Sequence, residues 1–530
     1  MLQRHDLACA LVFAALRFSK FSSTTAADHA AHNALINVGT GVNPVDGGDG
    51  ARVCWTPSQY LDQPVDHISN ASQTFKQQYI LNATYFKEGG PILFYQSNEA
   101  TTITCPDTLI LADWAKEIGG LTATLEHRYF GQSLPFGNDS YTQENYKYLT
   151  LENVMQDAVN FIDFIKSNVT GASNSKAIVV GRSYGGTLSA IFRQNYPDVF
   201  YGAWAVSGPF YAFGDSTEIG QEVQQTYLRQ SYTAFSRIKE AFSDVKSLVA
   251  SGDEPTLAKE LSLCQAPNVT DVADVVTFNY WLVGAYDILT QFSFMPSYFH
   301  NVSGPVLPVV INDTLSAPSP LAALNQTLWH AYGGDAVAVP SGKPCLDHTI
   351  ALPSSINIAA VPFSWVRCNW VPLNNALDPR GIWQIGAPLP PSASDPSAGC
   401  TALWNVTTPP GAAIKAKYRI ADADLRASTR IIFSVGELDP TTSVAQNGLG
   451  DAVGTDPDQA VRVFVAGGGH GQDLEQYDPG ADWQSVVDAR NIELNVIKGW
   501  LNGTAAASTA LPSSSSAGAG SSATARAPSA

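Results

Sequence analysis

The fold prediction for this chain of 530 residues starts from the stretch GRSYGG at positions 181–186. An apolar, β-branched run at 177–180 precedes this stretch, and a segment that is compatible with a helix, 188–196, follows it. A strand, a tight G-x-S-x-G turn and a helix in this order are typical of a nucleophile elbow. The flanking glycines permit a sharp turn that exposes the Ser183 hydroxyl at the end of a sheet. Ser183 is therefore the predicted nucleophile, and an ordinary turn serine is the alternative.

The other members of a catalytic triad are expected after the serine, first an acid and then a histidine. Among the nine histidines of the chain, His470 is the one that follows a late strand-like segment, 461–465. The acid is expected in the loop after the preceding strand-like segment, 431–435. Asp439 is the predicted acid, and Glu437 is the reserve candidate.

In this interpretation Ser183 attacks a carbonyl carbon, His470 transfers the proton, and Asp439 fixes the imidazole tautomer. The structural alternatives are His470 as a cap of a glycine-rich turn and Asp439 as an Asp-Pro turn residue. The backbone N–H of Tyr184 is the predicted first oxyanion donor, because it follows the nucleophile. The second donor is expected in the turn after the early strand 91–95. Three neighbours remain open for it, namely Gln96, Ser97 and Asn98.

Strand-like and helix-like segments alternate around the elbow, and the clearest helix covers 151–169. This alternation predicts an α/β protein with a doubly wound, mostly parallel sheet, the α/β-hydrolase fold. Ser183 and Asp439 are 256 residues apart (439 minus 183), which is far more than a bare hydrolase needs. We therefore predict a large, mainly helical cap insertion over the catalytic face. The alternative is an unrelated domain away from the site.

The domain boundaries follow from this separation and from changes in composition. The insertion contains helix-like stretches at 219–250 and 280–294. After Asn502 the composition becomes rich in Ala, Ser, Gly and Pro. The predicted divisions are a leader at 1–30, the first part of the hydrolase domain at 50–212, the cap at 213–425, the second part at 426–503 and a disordered Ser/Ala-rich tail at 504–530.

The composition limits the classes of partner. The formal net charge is −17, from 30 basic and 47 acidic residues, and no basic stripe favours nucleic acid. No apolar stretch reaches the roughly 18 residues that a membrane helix needs, so no membrane insertion is predicted. No Cys/His cluster has zinc-like spacing, so no metal and no other cofactor is predicted. Peptides are the predicted partners, and a homodimer is left open.

Three features predict export to the cell exterior or to a vacuole or lysosome. An apolar run at 7–16 after Arg4 resembles a secretory signal. Six cysteines remain outside this leader, enough for three disulfides in one of fifteen connectivities. N-x-S/T glycosylation acceptors are numerous. They occur at Asn70, Asn82, Asn138, Asn168, Asn268, Asn301, Asn312, Asn325, Asn405 and Asn502.

A family resemblance adds to this interpretation. The segments that carry it are QPVDH at 63–67, GGPILFYQSNE at 89–99, EHRYFGQS at 126–133, YLT at 148–150, the elbow, GELDP at 436–440 and GGH at 468–470. In this order the chain resembles the serine carboxypeptidase family that includes lysosomal Pro-Xaa carboxypeptidase, dipeptidyl peptidase II and fungal prolyl endopeptidases. The resemblance implies a peptidase that often cleaves beside proline and often works at acidic pH.

The resemblance also implies roles for individual residues. Ser183, Asp439 and His470 match the triad positions of the family. Asn98 and Glu99 match part of its Asn-Glu-Gly motif near the substrate end, which implies that Glu99 pairs with a peptide N-terminus. A carboxylate that is satisfied by local backbone donors is the alternative for Glu99.

The chain departs from the family pattern at four positions. Ala100 replaces the glycine of the Asn-Glu-Gly motif, and Gly471 replaces a second histidine. Thr187 and Thr441 replace a methionine and an aromatic residue that help to form an apolar proline pocket in the family. These replacements bear on proline preference rather than on the triad.

The leading functional hypothesis is therefore a secreted serine exopeptidase that uses an acyl-enzyme, because a large cap can close one end of a cleft. A secreted carboxylesterase or lipase on the same fold is the first alternative, since the same triad cleaves esters. Lipases usually carry an HGGG-type oxyanion loop, which this sequence lacks. A non-catalytic, hydrolase-like binding protein is the second alternative.

Overall fold

A computed structural model gives the structure of most of the chain. It describes residues 54–69, 72–210, 213–216, 218–338, 342–349, 354–375, 377–378, 381–386, 400–401, 403–441, 458–478 and 482–503. The predicted leader, the predicted tail and the acceptor Asn70 lie outside the described residues.

Strands and helices alternate up to residue 206, and helices predominate among the described residues from 218 to 369. The strands are β1 (Ser58–Pro64), β2 (Thr74–Asn82), β3 (Ile92–Gln96), β4 (Leu121–Leu125), β5 (Ala177–Arg182), β6 (Phe200–Val206), β7 (Gly214–Ser216), β8 (Leu373–Asn375), β9 (Ile431–Gly436) and β10 (Val461–Val465). The helices are α1 (Ile110–Ile118), α2 (Leu151–Asn168), α3 (Tyr184–Asn195), α4 (Glu218–Gln230), α5 (Tyr232–Ser251), α6 (Glu254–Glu260), α7 (Val272–Gln291), α8 (Val306–Ser316), α9 (Pro320–Tyr332), α10 (Ser354–Asn369), α11 (Gly411–Lys417), α12 (Asp422–Arg426) and α13 (Gln484–Asn502).

The main sheet has the strand order β1-β2-β4-β3-β5-β6-β9-β10 within the described part of the chain. β2 is antiparallel to both β1 and β4. The six strands from β4 to β10 run parallel to one another. β3, β4 and β9 are buried along their whole length, as expected for parallel strands that are covered on both faces. This arrangement confirms the predicted α/β-hydrolase fold.

Helices cover the two faces of the sheet. On one face, Trp114 of α1 stacks on Trp204 of β6 at 4.7 Å between ring centroids, and Trp500 of α13 joins the same apolar cluster. On the other face, α2 and α3 pack on alternate residues of the same strands. The alternation follows from the two-residue period of a strand, which sends successive side chains to opposite faces. The sheet is thus the buried middle layer.

The long insertion between β6 and β9 has an apolar cluster of its own. Buried side chains from α4 to α9 form this cluster, which extends to Ile385. The continuous helical stretch predicted at 219–250 is two helices, because Ser231 interrupts it. The Ser231 side chain accepts a hydrogen bond of 3.2 Å from the Ala234 N–H and begins α5 as its N-cap. Later parts of the insertion, 363–371 and 414–425, contribute side chains to the cluster of the sheet instead. The domain boundaries themselves stay a prediction.

Three disulfides confirm the predicted number of bridges and give the connectivity that the sequence left open. They join Cys54 to Cys105, Cys264 to Cys345, and Cys368 to Cys400. Within the described residues, no helix combines the length and the apolar composition that crossing a bilayer requires.

Candidate active site

The parallel strands end at one edge of the sheet, and the predicted site residues follow those ends. Ser183 follows β5, Asp439 lies three residues after β9, and His470 lies five residues after β10. Asn98 and Glu99 follow β3. Ligands of open α/β sheets bind outside the carboxyl ends of the strands. The topology therefore gathers these residues from distant parts of the sequence.

The turn at Ser183 has the sharp backbone that the motif predicts. Ser183 has a φ of 59° and a ψ of −125°, which a non-glycine residue adopts only under strain. Its N–H donates to the Val206 carbonyl at 2.9 Å, which fixes the turn to β6. A side chain at Gly181 would clash with the Gly185 carbonyl, and one at Gly186 would clash with that of Val206. These close approaches explain why the motif needs glycines.

The imidazole of His470 is held by Asp439. Its Nδ1 lies 2.9 Å from the Asp439 Oδ2, and both side chains are buried. The Thr441 N–H donates to the Asp439 Oδ1 at 3.0 Å. Burial raises the pKa of Asp439, but the His470 charge and the hydrogen bonds from His470 and Thr441 outweigh burial and lower it overall. Glu437, the reserve candidate, instead accepts a hydrogen bond of 2.9 Å from the Gly467 N–H.

The loop that carries His470 lies between the cap and the elbow. The His470 N–H donates to the Gln291 carbonyl at the end of α7 at 2.8 Å. The Gly471 N–H donates to the Ser207 hydroxyl at 3.1 Å, and Gly471 packs on the side chain of Arg182. No hydrogen bond between described residues joins the Ser183 hydroxyl to the imidazole. Catalytic hydrogen bonds are often long without substrate and tighten in the complex.

Two backbone segments meet beside Ser183. Tyr184 is the first residue of α3, and the first N–H groups of a helix have no partner within it. The turn after β3 packs on this helix end, since a Cβ at Gly185 would lie 3.7 Å from the Asn98 nitrogen. The Ser97 N–H is already used, because it donates to the Leu125 carbonyl at 3.1 Å.

The side chain of Tyr184 anchors the start of α3. Its hydroxyl accepts a hydrogen bond from the Trp370 Nε1–H at 3.2 Å and lies 3.0 Å from the His127 Nε2. The His127 Nδ1 lies 2.7 Å from the Arg128 carbonyl, which only accepts, so Nδ1 carries the proton and Nε2 accepts from Tyr184. Burial lowers the pKa of His127 to about 4, which keeps this ring neutral. These hydrogen bonds therefore hold the Tyr184 side chain through neutral groups.

Glu99 places a carboxylate near the histidine. Its Oε2 is buried and has no hydrogen-bond partner among the described residues. Burial raises the pKa of Glu99, although the charges of His470 and Arg182 act in the opposite direction. A buried carboxylate oxygen without a partner is costly, and a positively charged ligand group would satisfy it.

Two charged features of the site were missed by sequence reasoning. Arg182, inside the elbow motif, forms an ion pair with Glu475, five residues after His470. Asp287 on α7 accepts a hydrogen bond of 3.0 Å from the Gln291 side chain. Burial raises the pKa of Asp287 to about 6, and the Asp439 charge adds to that rise. Arg182 could have been suspected from its place in the motif, whereas Asp287 reaches the site only through the packing of the cap.

One cluster among the described residues has metal-like spacing. The cluster is Cys54, Cys105 and Asp107, in which the two sulfurs are bonded to each other and supply no thiolate.

Most of the predicted glycosylation acceptors are accessible. Asn82 and Asn325 are half-buried, and their side-chain nitrogens donate to Asp107 and to Ser262. The exposed acceptors are Asn138, Asn168, Asn268, Asn301, Asn312, Asn405 and Asn502.

Comparisons with known proteins show similarity to serine peptidases. A family model described as serine carboxypeptidase S28 matches residues 63–304. The lysosomal Pro-X carboxypeptidase of Bos taurus is 29% identical over 463 residues, which cover 84% of this chain and 88% of that protein. A probable extracellular serine carboxypeptidase of Arthroderma benhamiae is 30% identical over 185 residues, 32% of this chain and 25% of that one. The solved proline iminopeptidase of Mycobacterium smegmatis has a TM-score of 0.34 at 10% identity, and the match covers 84% of this chain and all of that one (100%).

Proposed function

We propose that this chain, a serine peptidase that belongs to the serine carboxypeptidase S28 family, is an exopeptidase that uses Ser183, His470 and Asp439 as its catalytic triad. The observation that carries the proposal is the buried hydrogen bond of 2.9 Å between Asp439 and His470. The loop of His470 packs through Gly471 on Arg182, the residue directly before the strained Ser183. A nucleophile, a base and an orienting acid in this order are the parts of a serine hydrolase.

The chemistry follows from these positions. The Ser183 Oγ attacks the carbonyl carbon of the scissile peptide, and the His470 Nε2 takes the hydroxyl proton. The tetrahedral intermediate collapses when His470 gives this proton to the departing amine, which leaves an acyl group on Ser183. A water molecule, deprotonated by His470, then releases the acyl group as a carboxylic acid. Asp439 stays ionised throughout and stabilises the imidazolium.

Two backbone N–H groups bind the oxyanion in this proposal. The first belongs to Tyr184, at the start of α3, where the helix dipole also favours negative charge. The second belongs to Asn98, chosen from the three residues that the sequence left open. Ser97 is already bonded to Leu125, and Gln96 is the last residue of β3 and pairs with the same residue. The contact between Asn98 and Gly185 supports this choice.

Glu99 and Asn98 form the substrate-binding end of the cleft in this proposal. Among the described residues the buried Oε2 of Glu99 lacks a partner, which suits the ammonium group of a peptide N-terminus and a dipeptidyl-peptidase type of cleavage. The names of several relatives specify carboxypeptidases, which release a residue from the opposite end. Both types are exopeptidases. Proline next to the scissile bond is the proposed preference that the family resemblance implies.

The proposed location is the lysosome, a vacuole or the cell exterior. Three disulfides favour an oxidising compartment, and seven exposed glycosylation acceptors suit the secretory route. One relative is named a lysosomal enzyme and another a probable extracellular one.

Labelling with a fluorophosphonate, followed by product mapping, tests the proposal. We expect the purified protein to react covalently with the probe and the Ser183→Ala variant not to react. Mass spectrometry of a mixed peptide library, half of it containing proline, should then show release of one or two residues from a single chain end. Turnover of p-nitrophenyl esters without any peptide cleavage would replace the peptidase by an esterase. Absence of both labelling and turnover would indicate a binding protein.

A further inference from the structure

The elbow and the histidine loop are joined by a pair of opposite charges. We propose that Arg182 and Glu475 are positioning residues that hold the Ser183 turn in register with the His470 loop. This inference rests on the proposed function of Ser183 and His470, and it adds two residues that do not touch the reacting atoms.

The first observation is the ion pair itself. Arg182 is the last residue of β5 and directly precedes Ser183. Its Nη1 contacts the Oε1 of Glu475, and the two side chains are only 23% and 29% exposed. A charged hydrogen bond in such a partly buried place is stronger than one at the open surface. The pair therefore connects the nucleophile turn to the loop of the base.

The second observation is the space that Gly471 leaves. Gly471 has a φ of 68°, and a Cβ at this position would clash with the Cδ of Arg182. The side chain of Arg182 thus runs through the place where any other residue after His470 would carry its own side chain. This gives a physical reason for the glycine, where the family resemblance implies a second histidine.

The third observation is that each end of the pair is anchored. The Ser183 N–H donates to Val206, which fixes the turn beside Arg182. Glu475 forms an isolated antiparallel bridge with Leu109, which is buried and directly precedes α1. Burial lowers the pKa of Arg182, but Glu475 and Tyr95 more than compensate, so the guanidinium stays charged. A guanidinium that stays charged, on a backbone that is anchored by hydrogen bonds, suits a positioning role.

The functional consequence concerns the distance between the Ser183 hydroxyl and the imidazole. That distance depends on how the elbow and the loop lie relative to each other. The loop is also held to the end of β6 by the Gly471 N–H, which donates to the Ser207 hydroxyl, and the charge of Asp473 in the same loop adds to the attraction on Arg182. Loss of the ion pair should therefore loosen the alignment and slow proton transfer while the fold persists.

The test measures the second-order rate of fluorophosphonate labelling. This rate reports the reactivity of the Ser183 hydroxyl, whichever peptide the enzyme prefers. The variants are Arg182→Gln, Glu475→Gln, their double variant and Arg182→Lys. Misplacement of a reacting group by about 1 Å can cost about 100-fold, so each single change should slow labelling by about 10- to 100-fold. The double variant should be about as slow as either single one, because both changes remove the same interaction. Arg182→Lys, which keeps the charge, should recover most of the rate.

A matched control separates positioning from general stability. Arg430 and Asp458 form an ion pair of 2.9 Å with similar exposure of the arginine, 20%, at the opposite end of β9. Arg430→Gln should leave the labelling rate unchanged, and all variants should be compared at temperatures well below their melting points. Wild-type rates in the Arg182→Gln and Glu475→Gln variants, or losses that multiply in the double variant, would overturn the inference. Failure of the wild-type protein to label would instead overturn the proposed function.

Discussion

At the scale of single residues, the carboxylate of Asp439 keeps a charge that its burial opposes. The side chain is fully buried, and burial alone would favour the neutral acid. The charge of His470 and the hydrogen bonds from His470 and the Thr441 N–H reverse this preference and hold the pKa of Asp439 below its usual range. Asp439 is thereby held as an anion that can stabilise a protonated His470 ring. Its removal should affect the tautomer of the imidazole more than the fold.

The Asp439→Asn variant tests this role. An amide cannot stabilise the imidazolium and favours the wrong tautomer, so we expect kcat to fall by about 10⁴-fold near neutral pH. Peptide hydrolysis should be measured beside the melting temperature, which should change little. Glu437→Gln is the matched control, because it keeps an acceptor for the Gly467 N–H. A comparable loss in the control, or nearly full activity in Asp439→Asn, would contradict the assignment.

The sequence was sufficient to predict the residues that chain connectivity places at strand ends. Ser183, Asp439 and His470 each follow a parallel strand, and such ends meet at one edge of the sheet. The connectivity of the chain does not reveal which loops touch across that edge. The pair of Arg182 with Glu475 and the choice of Asn98 over Ser97 depend on such contacts, and only the structure supplied them.

At the scale of secondary-structure elements, α7 is a helix of the insertion that contacts the His470 loop. Its last residue, Gln291, accepts the His470 N–H through its carbonyl and donates to Asp287 through its side chain. Asp287 therefore lies close to the charges of Asp439 and His470. The helix couples the packing of the insertion to the position of His470.

The Asp287→Asn variant tests the electrostatic cost of this contact. Burial raises the pKa of Asp287 from 3.8 to about 6, so the folded state binds this proton more tightly than the unfolded state. The free energy of unfolding should therefore fall as pH rises from about 4 to about 6. Above pH 6 the variant should be more stable than the wild type by up to roughly 3 kcal/mol, and near pH 4 the two should be alike.

Urea unfolding at several pH values measures this difference. Asp244, which is exposed on α5, supplies a control variant, Asp244→Asn, that should parallel the wild type at every pH. A stability difference for Asp287→Asn that does not change between pH 4.5 and 7.5 would show that the carboxyl is not titrating there.

Periodicity predicted the elements whose pattern is regular and missed local interruptions. The helix predicted at 151–169 is α2, since its apolar residues recur at three- and four-residue steps and Thr150 caps its start. The stretch at 219–250 has a similar pattern on both sides of Ser231, so the break between α4 and α5 depends on one capping side chain. Such a cap competes with a continuous helix by a small free energy that a pattern does not reveal.

At the scale of the whole molecule, the chain combines a hydrolase sheet with an insertion that has its own apolar cluster. Four cysteines of the insertion form two of the three disulfides. The sequence predicted the size and helical content of this insertion from the long separation of Ser183 and Asp439. It did not predict that 363–371 and 414–425 pack on the sheet, because apolar segments do not reveal which core they join.

Glycan mapping tests the proposed export of the whole chain. We expect occupancy at the exposed acceptors in protein from the native source, since each leaves room for a sugar. Asn82 and Asn325 should be empty, because both are half-buried and their side-chain nitrogens donate to Asp107 and Ser262, which are distant in the sequence. Peptide mass spectrometry after enzymatic deglycosylation in heavy water distinguishes these cases. A complete absence of glycans at all acceptors would argue against passage through the secretory route.

The central claim is that Ser183, His470 and Asp439 work as one unit beneath the cap. A crystal structure of the protein after reaction with a fluorophosphonate measures this most directly. The account predicts phosphorus bonded to the Ser183 Oγ, the phosphoryl oxygen about 3 Å from the Tyr184 and Asn98 nitrogens, and an intact bond from His470 to Asp439. Phosphorus on another residue, or an imidazole beyond hydrogen-bond reach of the modified serine, would contradict the account.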